Sequence, residues 1–349
     1  MKHAIFIIFF FCIFLVGCTT AENSDKIPTL TVVTHDSFSV SEGVITKFEQ
    51  DNNVRVVFLK SGDAGVALNK VILTKGNPLG DVFFGVDNTF LSRALAEGIF
   101  EPYVSPNIAS VPDSFRLDET SQVTPVDFGD VCINYDIAWF QTKKLKVPGT
   151  LEDLTNPIYK DKLVVENPAT SSPGLAFLLA TIAHFGEDRY LNYWQSLKDN
   201  GVVIASDWNS AYYSNFSASS GKGSQPMVVS YASSPAAEVI FADPPRKDAP
   251  TASITGKDTC FRQIEFAGIL KGTQKEALAQ KFIDFLLSKS FQEDIPLQMF
   301  MYPVEPKAAL PKEFSAFAQN AEQPAIMDPK MIAENRERWI RDWTEKILK

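Results

Sequence analysis

Thr170, Ser171 and Ser172 sit together in the run ENPATSSPGLAFL at 166–178, where a polar stretch ends in Pro-Gly and opens onto an apolar segment with helical spacing. Two kinds of chemistry suit such a cluster. Ser and Thr oxygens at a helix mouth satisfy the free amides of the first turn, which is ordinary capping. The same amides and hydroxyls also make a ready site for an anion or a hydroxyl on a ligand. The cluster alone leaves both open. Three more polar groups fall where apolar runs stop: His35-Asp36-Ser37, Gly62-Asp63-Ala64 and Asp87-Asn88. Catalytic motifs are missing, with no GxSxG, GxxxxGK(S/T), HExxH or GxGxxG in the chain. An exported hydrolase built on Ser171 or Ser172 would lack an identifiable base and a nucleophile elbow. Polar clusters without a marked nucleophile or metal motif imply binding rather than turnover.

The elements that must present these groups alternate. TLTVVTHDSF reads as a buried strand ending in a polar turn, and SEGVITKFEQDNN as a helix with an Asn-rich stop. VRVVFLKSGDAG, VALNKVILTKG, GDVFFGVD and NTFLSRALAEGIF continue the pattern as strand, helix, strand and helix. Such alternation predicts parallel βαβ units, whose ligands sit beyond the carboxyl ends of the strands. A long extended run, QVTPVDFGDVCINYD, leads to a second α/β set holding KLVVENP, the Ser/Thr helix mouth, GVVIASDWNSAYYSNF and PMVVSYASSPAAEVIF. Another extended run, TCFRQIEFAGIL, precedes the helix KEALAQKFIDFLLSKSFQEDI and an amphipathic tail helix, DPKMIAENRERWIRDWTEKILK. Trp339 and Trp343 stand four apart on one face of that tail and read as core.

The chain opens MKHAIFIIFFFCIFLVGCTT, a positive Lys2 followed by an apolar run too short for a comfortable membrane span. Leu15-Val16-Gly17-Cys18 looks like the lipobox of bacterial lipoproteins, so 1–17 is expected to be a signal peptide, Cys18 the lipidated residue and 18–28 a linker. The rest exceeds one ordinary core, and two lobes are expected. A hydrophobic content of 45% with 21% charged residues is globular, and a formal charge of −9 argues against a nucleic-acid partner. With Cys12 and Cys18 assigned to the leader and the anchor, Cys132 and Cys260 remain. There is no CxxC and only His35 and His184 lie beyond the leader, so a zinc site is not expected and the cysteines are expected to pair.

The runs THDSF at 34–38, GDVFFGVDN at 80–88, NPATSSPGLAFLL at 167–179, SDWNSAY at 206–212, VSYASSPA at 229–236 and FMYPV at 300–304 occur in an order that resembles the thiamine-binding family of ABC-transporter solute-binding proteins. The resemblance implies the α/β, two-lobed periplasmic-binding-protein-like II fold, with a ligand cleft between lobes and extended hinge crossovers. Lobe 1 would comprise 29–128 and 261–349, and lobe 2 residues 129–260. It implies a monomeric, non-enzymatic protein without cofactor or metal. Tethered outside the cell membrane or in the periplasm, it would capture thiamine or its phosphates for an ABC permease.

The resemblance also implies a site. Asp63 and Ala64 match the family's acidic ligand-binding turn, Ser171 and Ser172 the helix-mouth pair, and Trp208 the aromatic stacker. Tyr231, Ala232, Ser233 and Ser234 match a further ligand-lining stretch. His35 stands where the family often has Tyr, and Phe300 at a position open to an indole. The chemistry agrees: a cationic thiazolium and a flat aminopyrimidine favour aromatic faces, at roughly 0.5–2 kcal/mol per cation–π contact. Asp63 and Asp207 are candidate counter-charges, and Ser171, Ser172, Ser233 and Ser234 candidate partners for the hydroxyethyl or phosphate arm. Plainer roles stand beside these: core packing for Trp208 and Tyr231, turn closure for Asp63, a structural histidine for His35. Ferric iron is the main rival, through Tyr212 beside Tyr213, although adjacent residues on a helix diverge by about 100° and a loop would be needed. A polyamine is a third ligand that carboxylates and aromatics would accept. Finally, DVCINYD and TCFRQIEF are expected to be the hinge crossovers, lying side by side with Cys132 and Cys260 placed to form a disulfide; two small buried thiols are the alternative.

Overall fold

The computed structural model describes residues 27–218 and 222–349; the expected signal peptide, Cys18 and nearly all of the linker lie outside these residues. The N-terminal alternation folds as its apolar pattern dictates. β1 (Thr29–Thr34), α1 (Glu42–Asn52), β2 (Arg55–Lys60), α2 (Ala64–Leu73), β3 (Val82–Asp87) and α3 (Leu91–Ala96) follow in turn, with β1 parallel to both β2 and β3. Every residue of β3 is buried, as its unbroken apolar run requires of an inner parallel strand. After β4 (Phe100–Glu101), the long β5 (Thr124–Asp136) carries the chain into α4 (Ile137–Lys143).

The second set comprises β6 (Leu163–Glu166), α5 (Ser172–Phe185), α6 (Tyr190–Asp199), β7 (Val203–Ala205), β8 (Met227–Tyr231), α7 (Ser234–Ile240) and β9 (Thr251–Ile254). Between β7 and β8, Ser210–Asn215 winds into a π-type turn, which puts Tyr212 and Tyr213 on a helical segment rather than a loop. β10 (Phe261–Leu270) returns to the first half, followed by α8 (Glu276–Leu286), α9 (Lys289–Gln298), β11 (Tyr302–Pro303), α10 (Lys312–Phe317) and α11 (Pro329–Ile347). The single helix expected over 275–295 is broken at Leu287-Ser288, because the Ser288 hydroxyl accepts from the Phe291 amide and starts a new helix.

One continuous sheet joins the halves, in the order β2-β1-β3-β10-β5-β8-β6-β7, with β4 on β10 and β9 and β11 on β5. At its centre β5 and β10 run antiparallel, from Phe261 opposite Val131 to Ala267 opposite Thr124. β5 continues beyond this overlap to pair with β8, while β10 continues to pair with β3. The two extended runs are therefore the crossovers between halves, and Cys132 and Cys260, both fully buried, are joined there by a disulfide with Cα atoms 4.3 Å apart. Beyond β11 the chain does not keep to the first half. α10 packs on α7, and α11 lies across α6 and α3 with Trp343 edge-on to Trp194 at 5.3 Å. Trp339 and Trp343 are fully buried, as their spacing predicts. Among the described residues no helix is long and apolar enough to cross a membrane.

Candidate ligand-binding site

A cavity of about 230 Å³ opens between the carboxyl ends of β1 and β2, the head of α5 and the approach to β11. The turn after β1 contributes His35 and Ser37, and the head of α2 contributes its N-cap Asp63 and first residue Ala64. From the second half come Ser172, Trp208, Tyr231 and Ser234, and the loop before β11 adds Phe300. Ser171, Ala232 and Ser233 do not reach the surface of the cavity. Ala232 packs against the disulfide, and Ser233 is buried with its hydroxyl unbonded.

The helix-mouth serines neither cap nor stand free as a pair. Ser171 occupies the N-cap position of α5 without a side-chain cap bond, and its buried hydroxyl faces the Asp63 carboxyl. Ser172 lines the cavity and at the same time donates its hydroxyl to Asp87 across to β3. Burial raises the Asp87 carboxyl to about 6 against the opposing pull of Ser172 and Thr89. Thr170 donates to the Ser206 carbonyl at 2.8 Å and so ties the mouth of α5 to the segment leading to Trp208.

Asp63 is placed by the tight turn at Gly62 and accepts from the Ala64 amide at 2.8 Å and from the Trp208 amide at 3.2 Å. Burial raises its carboxyl above the ordinary value, although Ser171, the two amides and His35 oppose this. Asp207, by contrast, does not line the cavity; it accepts from the Ser210 amide and hydroxyl and from Ser206, as a turn residue does. Trp208 donates its indole N–H to Ser230 at 3.0 Å and lies stacked on Tyr212, 5.1 Å between centroids and 19° between planes. The adjacent tyrosines diverge: Tyr212 is buried and donates to Glu238, whereas Tyr213 is half exposed and lines the cavity. Tyr231 accepts a 3.0 Å bond from Gln263, and Phe300 packs edge-on to Phe241.

His35 has room for its ring in this wall only because residue 85 is glycine. Gly85 has φ +102, and a Cβ there would stand 2.3 Å from His35 Cδ2. Its Nε2 lies 3.5 Å from Glu265 Oε1. Burial lowers the imidazole pKa, but Glu265, Asp63 and Asp36 more than offset this and raise it, favouring the cation.

Glu265 is the charged lining group that motif reading missed, along with the uncharged Asn209, Gln298, Met299 and Met301. It sits at the centre of β10, and the signal was present as a lone carboxylate inside the apolar run IEFAGIL. The charged side chains that line the cavity are thus His35, Asp63 and Glu265, with no Lys or Arg among them. An outer groove of about 530 Å³ shares Trp208, Tyr213, Ser234 and Phe300 with the cavity and continues to Glu238 and Arg246. Among the described residues, no group of three or more His, Cys, Asp or Glu side chains could hold a metal ion.

The family of bacterial extracellular solute-binding proteins matches the chain over residues 77–319. The thiamine-binding periplasmic protein of Brucella suis biovar 1 (strain 1330) is 30% identical over 321 residues, covering 90% of this chain and 91% of that protein. The thiamine-binding periplasmic protein of Salmonella typhimurium is 30% identical over 325 residues, 92% of this chain and 94% of that one. Among solved structures, a periplasmic thiamin binding protein matches with a TM-score of 0.79 and 28% identity, covering 92% of this chain and 96% of that chain. The fold is that of the two-lobed periplasmic binding proteins, and the chain belongs to the bacterial extracellular solute-binding proteins.

Proposed function

We propose that this protein captures thiamine, or a thiamine phosphate, outside the cell membrane and delivers it to an ABC permease, without catalysing a reaction. The observation that carries this reading is the composition of the cavity wall. Trp208, Tyr231 and Phe300 offer aromatic faces beside the carboxyls of Asp63 and Glu265, and no Lys or Arg stands among them. A flat organic cation suits such a wall, since aromatic faces and carboxylates both attract positive charge. The names of the relatives add support.

His35, Asp63, Ala64, Ser172, Trp208, Tyr231, Ser234 and Phe300 would contact the ligand, with Ser171, Ala232 and Ser233 supporting the wall from behind. A phosphate arm would extend into the outer groove, where Arg246 supplies a guanidinium. Lobe 1 would comprise 29–128 and 261 through β11, and lobe 2 residues 129–260, with α10 seated on lobe 2 and α11 bridging α6 and α3. A signal peptide at 1–17 and a lipid on Cys18 would tether a monomer at the membrane. Calorimetric titration of the ligand-stripped protein with thiamine, thiamine monophosphate, spermidine and ferric citrate tests the reading. Tight binding of a thiamine compound is expected; saturation by spermidine or iron alone would overturn it.

A further inference from the structure

Three carboxyls stand in a row across the centre of the sheet. Glu265 on β10 lies opposite Asp87 on β3 and opposite Asp127 on β5, so the three side chains share one face on three neighbouring strands. All three are buried, at 0%, 5% and 0% exposure for Asp87, Glu265 and Asp127. Like charges placed this way are unfavourable, and more so away from water. Asp87 is relieved by three donors, from the Ser172 hydroxyl and the Thr89 amide and hydroxyl. Asp127 has no such help: both of its oxygens are buried with no donor reaching either, and the residue lies directly opposite Glu265, whose carboxyl they face. Glu265 in turn reaches the cavity wall and His35.

The geometry points to Asp127 as a positioning residue: its carboxyl keeps a proton, donates it to Glu265, and so holds the Glu265 carboxylate toward the ligand. Two buried carboxyls in contact are stable only when one proton lies between them. Asp127 is the member that keeps the proton, because no donor reaches either of its buried oxygens, whereas Glu265 reaches the cavity wall and His35; burial and the Glu265 charge raise the Asp127 pKa in the same sense. Glu265, with one oxygen engaged from behind, presents the other to His35 and the cavity. The groups facing this pair are Asp87 from β3, His35 from the turn after β1 and Tyr231 from β8. This assignment rests on the reading that the ligand is a cation, because only then does a fixed carboxylate in the wall raise affinity.

Asp127→Asn retains a donor toward Glu265, whereas Asp127→Ala removes it. Thiamine affinity measured by calorimetry is expected to stay within about 3-fold of native in Asp127→Asn and to fall about 10-fold or more in Asp127→Ala, the scale of a lost hydrogen bond to a charged group. Because Asp127 acts through Glu265, adding Asp127→Ala to Glu265→Gln should cost little beyond Glu265→Gln alone. Native affinity in Asp127→Ala, or additive losses in the double variant, would overturn the assignment. A second readout needs no ligand. The native protein at neutral pH should show a deuterium-sensitive carboxylic-acid C=O band in the infrared, part of which disappears in folded Asp127→Asn. Identical spectra would refute the proton on Asp127, while a native protein that fails to bind thiamine would refute the function reading and leave this band to decide the proton.

Discussion

Removing the ring of Trp208 is the most direct test of the cavity. The indole is held by its N–H bond to Ser230 and by the stack on Tyr212, so its exposed edge and face are fixed where a ligand would meet them. Trp208→Ala deletes one cation–π face, about 0.5–2 kcal/mol, and the aromatic overlap with a flat ring, about 0.5–1.5 kcal/mol. The sum predicts a loss of roughly 1–3.5 kcal/mol in binding, or about 5- to 300-fold in Kd. The backbone amide of residue 208 still donates to Asp63, and Ser230 keeps Ser234 as a partner at 3.1 Å, so the wall behind the ring remains bonded. Trp208→Phe should fall between native and Ala, because it keeps a smaller face and loses the N–H. The assay is calorimetric titration with thiamine, with thermal melting to establish that each variant is folded. A folded Trp208→Ala with native affinity would refute the argument that this ring faces the ligand.

Gly85→Ala should weaken thiamine binding and lower Tm together, because the added Cβ would collide with the His35 ring and the φ of +102 is strained for alanine; native values for both would mean that the ring has room to shift. Replacing both Cys132 and Cys260 by Ala opens a loop of 128 residues and should cost about 4–5 kcal/mol on the chain-entropy account, read from the urea midpoint. Two alkylatable thiols in the unreduced, unfolded native chain would contradict the bond itself. His184 lies 3.0 Å from Asp258 and 2.7 Å from Glu152; burial lowers its pKa, but the two carboxylates outweigh this and raise it. A histidine raised in the folded state stabilises fully below its unfolded pKa and loses that contribution as pH rises through the folded one. Native protein should therefore exceed His184→Gln in Tm most at mildly acid pH, with the gap closing as pH rises; a constant gap would show that the pairing contributes no pH-linked stability.

The parts of the fold that could be read in the chain are those set by local periodicity. β1 to β3 and their helices, the two long crossovers and the buried face of α11 each follow from apolar spacing within one segment. What could not be read depends on register. The helix-mouth serines are a clear instance. Their composition suggests caps or a ligand site, yet Ser172 is committed to Asp87, 85 residues away, and Ser171 faces Asp63. The role of Glu265 is likewise invisible until β10 is paired with β3 and β5, because a carboxylate in an apolar run signals only that something must compensate it. Asp207 shows the opposite error. Its charge and its neighbour Trp208 make it a plausible counter-ion, but the short side chain turns back to the Ser210 amide, which an Asp at a helix start does readily. The break between α8 and α9 was legible in principle, since Ser288 precedes a new helical stretch, but the apolar spacing on either side concealed it.

Asp63 serves the contact between the halves and the charge of the cavity at once. One carboxylate oxygen accepts from Ala64 at the head of α2, and the other accepts from the Trp208 amide in the opposite half. An ionised carboxylate offers about four lone-pair sites, so both oxygens can take a further partner without releasing either amide. A cation entering the cavity therefore need not break the link to Trp208. It adds attraction at a group whose charge burial disfavours, and so eases the ionisation that burial opposes. Binding and the contact between halves then reinforce one another through a single side chain. Asp63→Asn separates the two, because the amide keeps one carbonyl acceptor but loses the charge. Affinity for cationic ligands should fall in this variant by more than its Tm does in the ligand-free state.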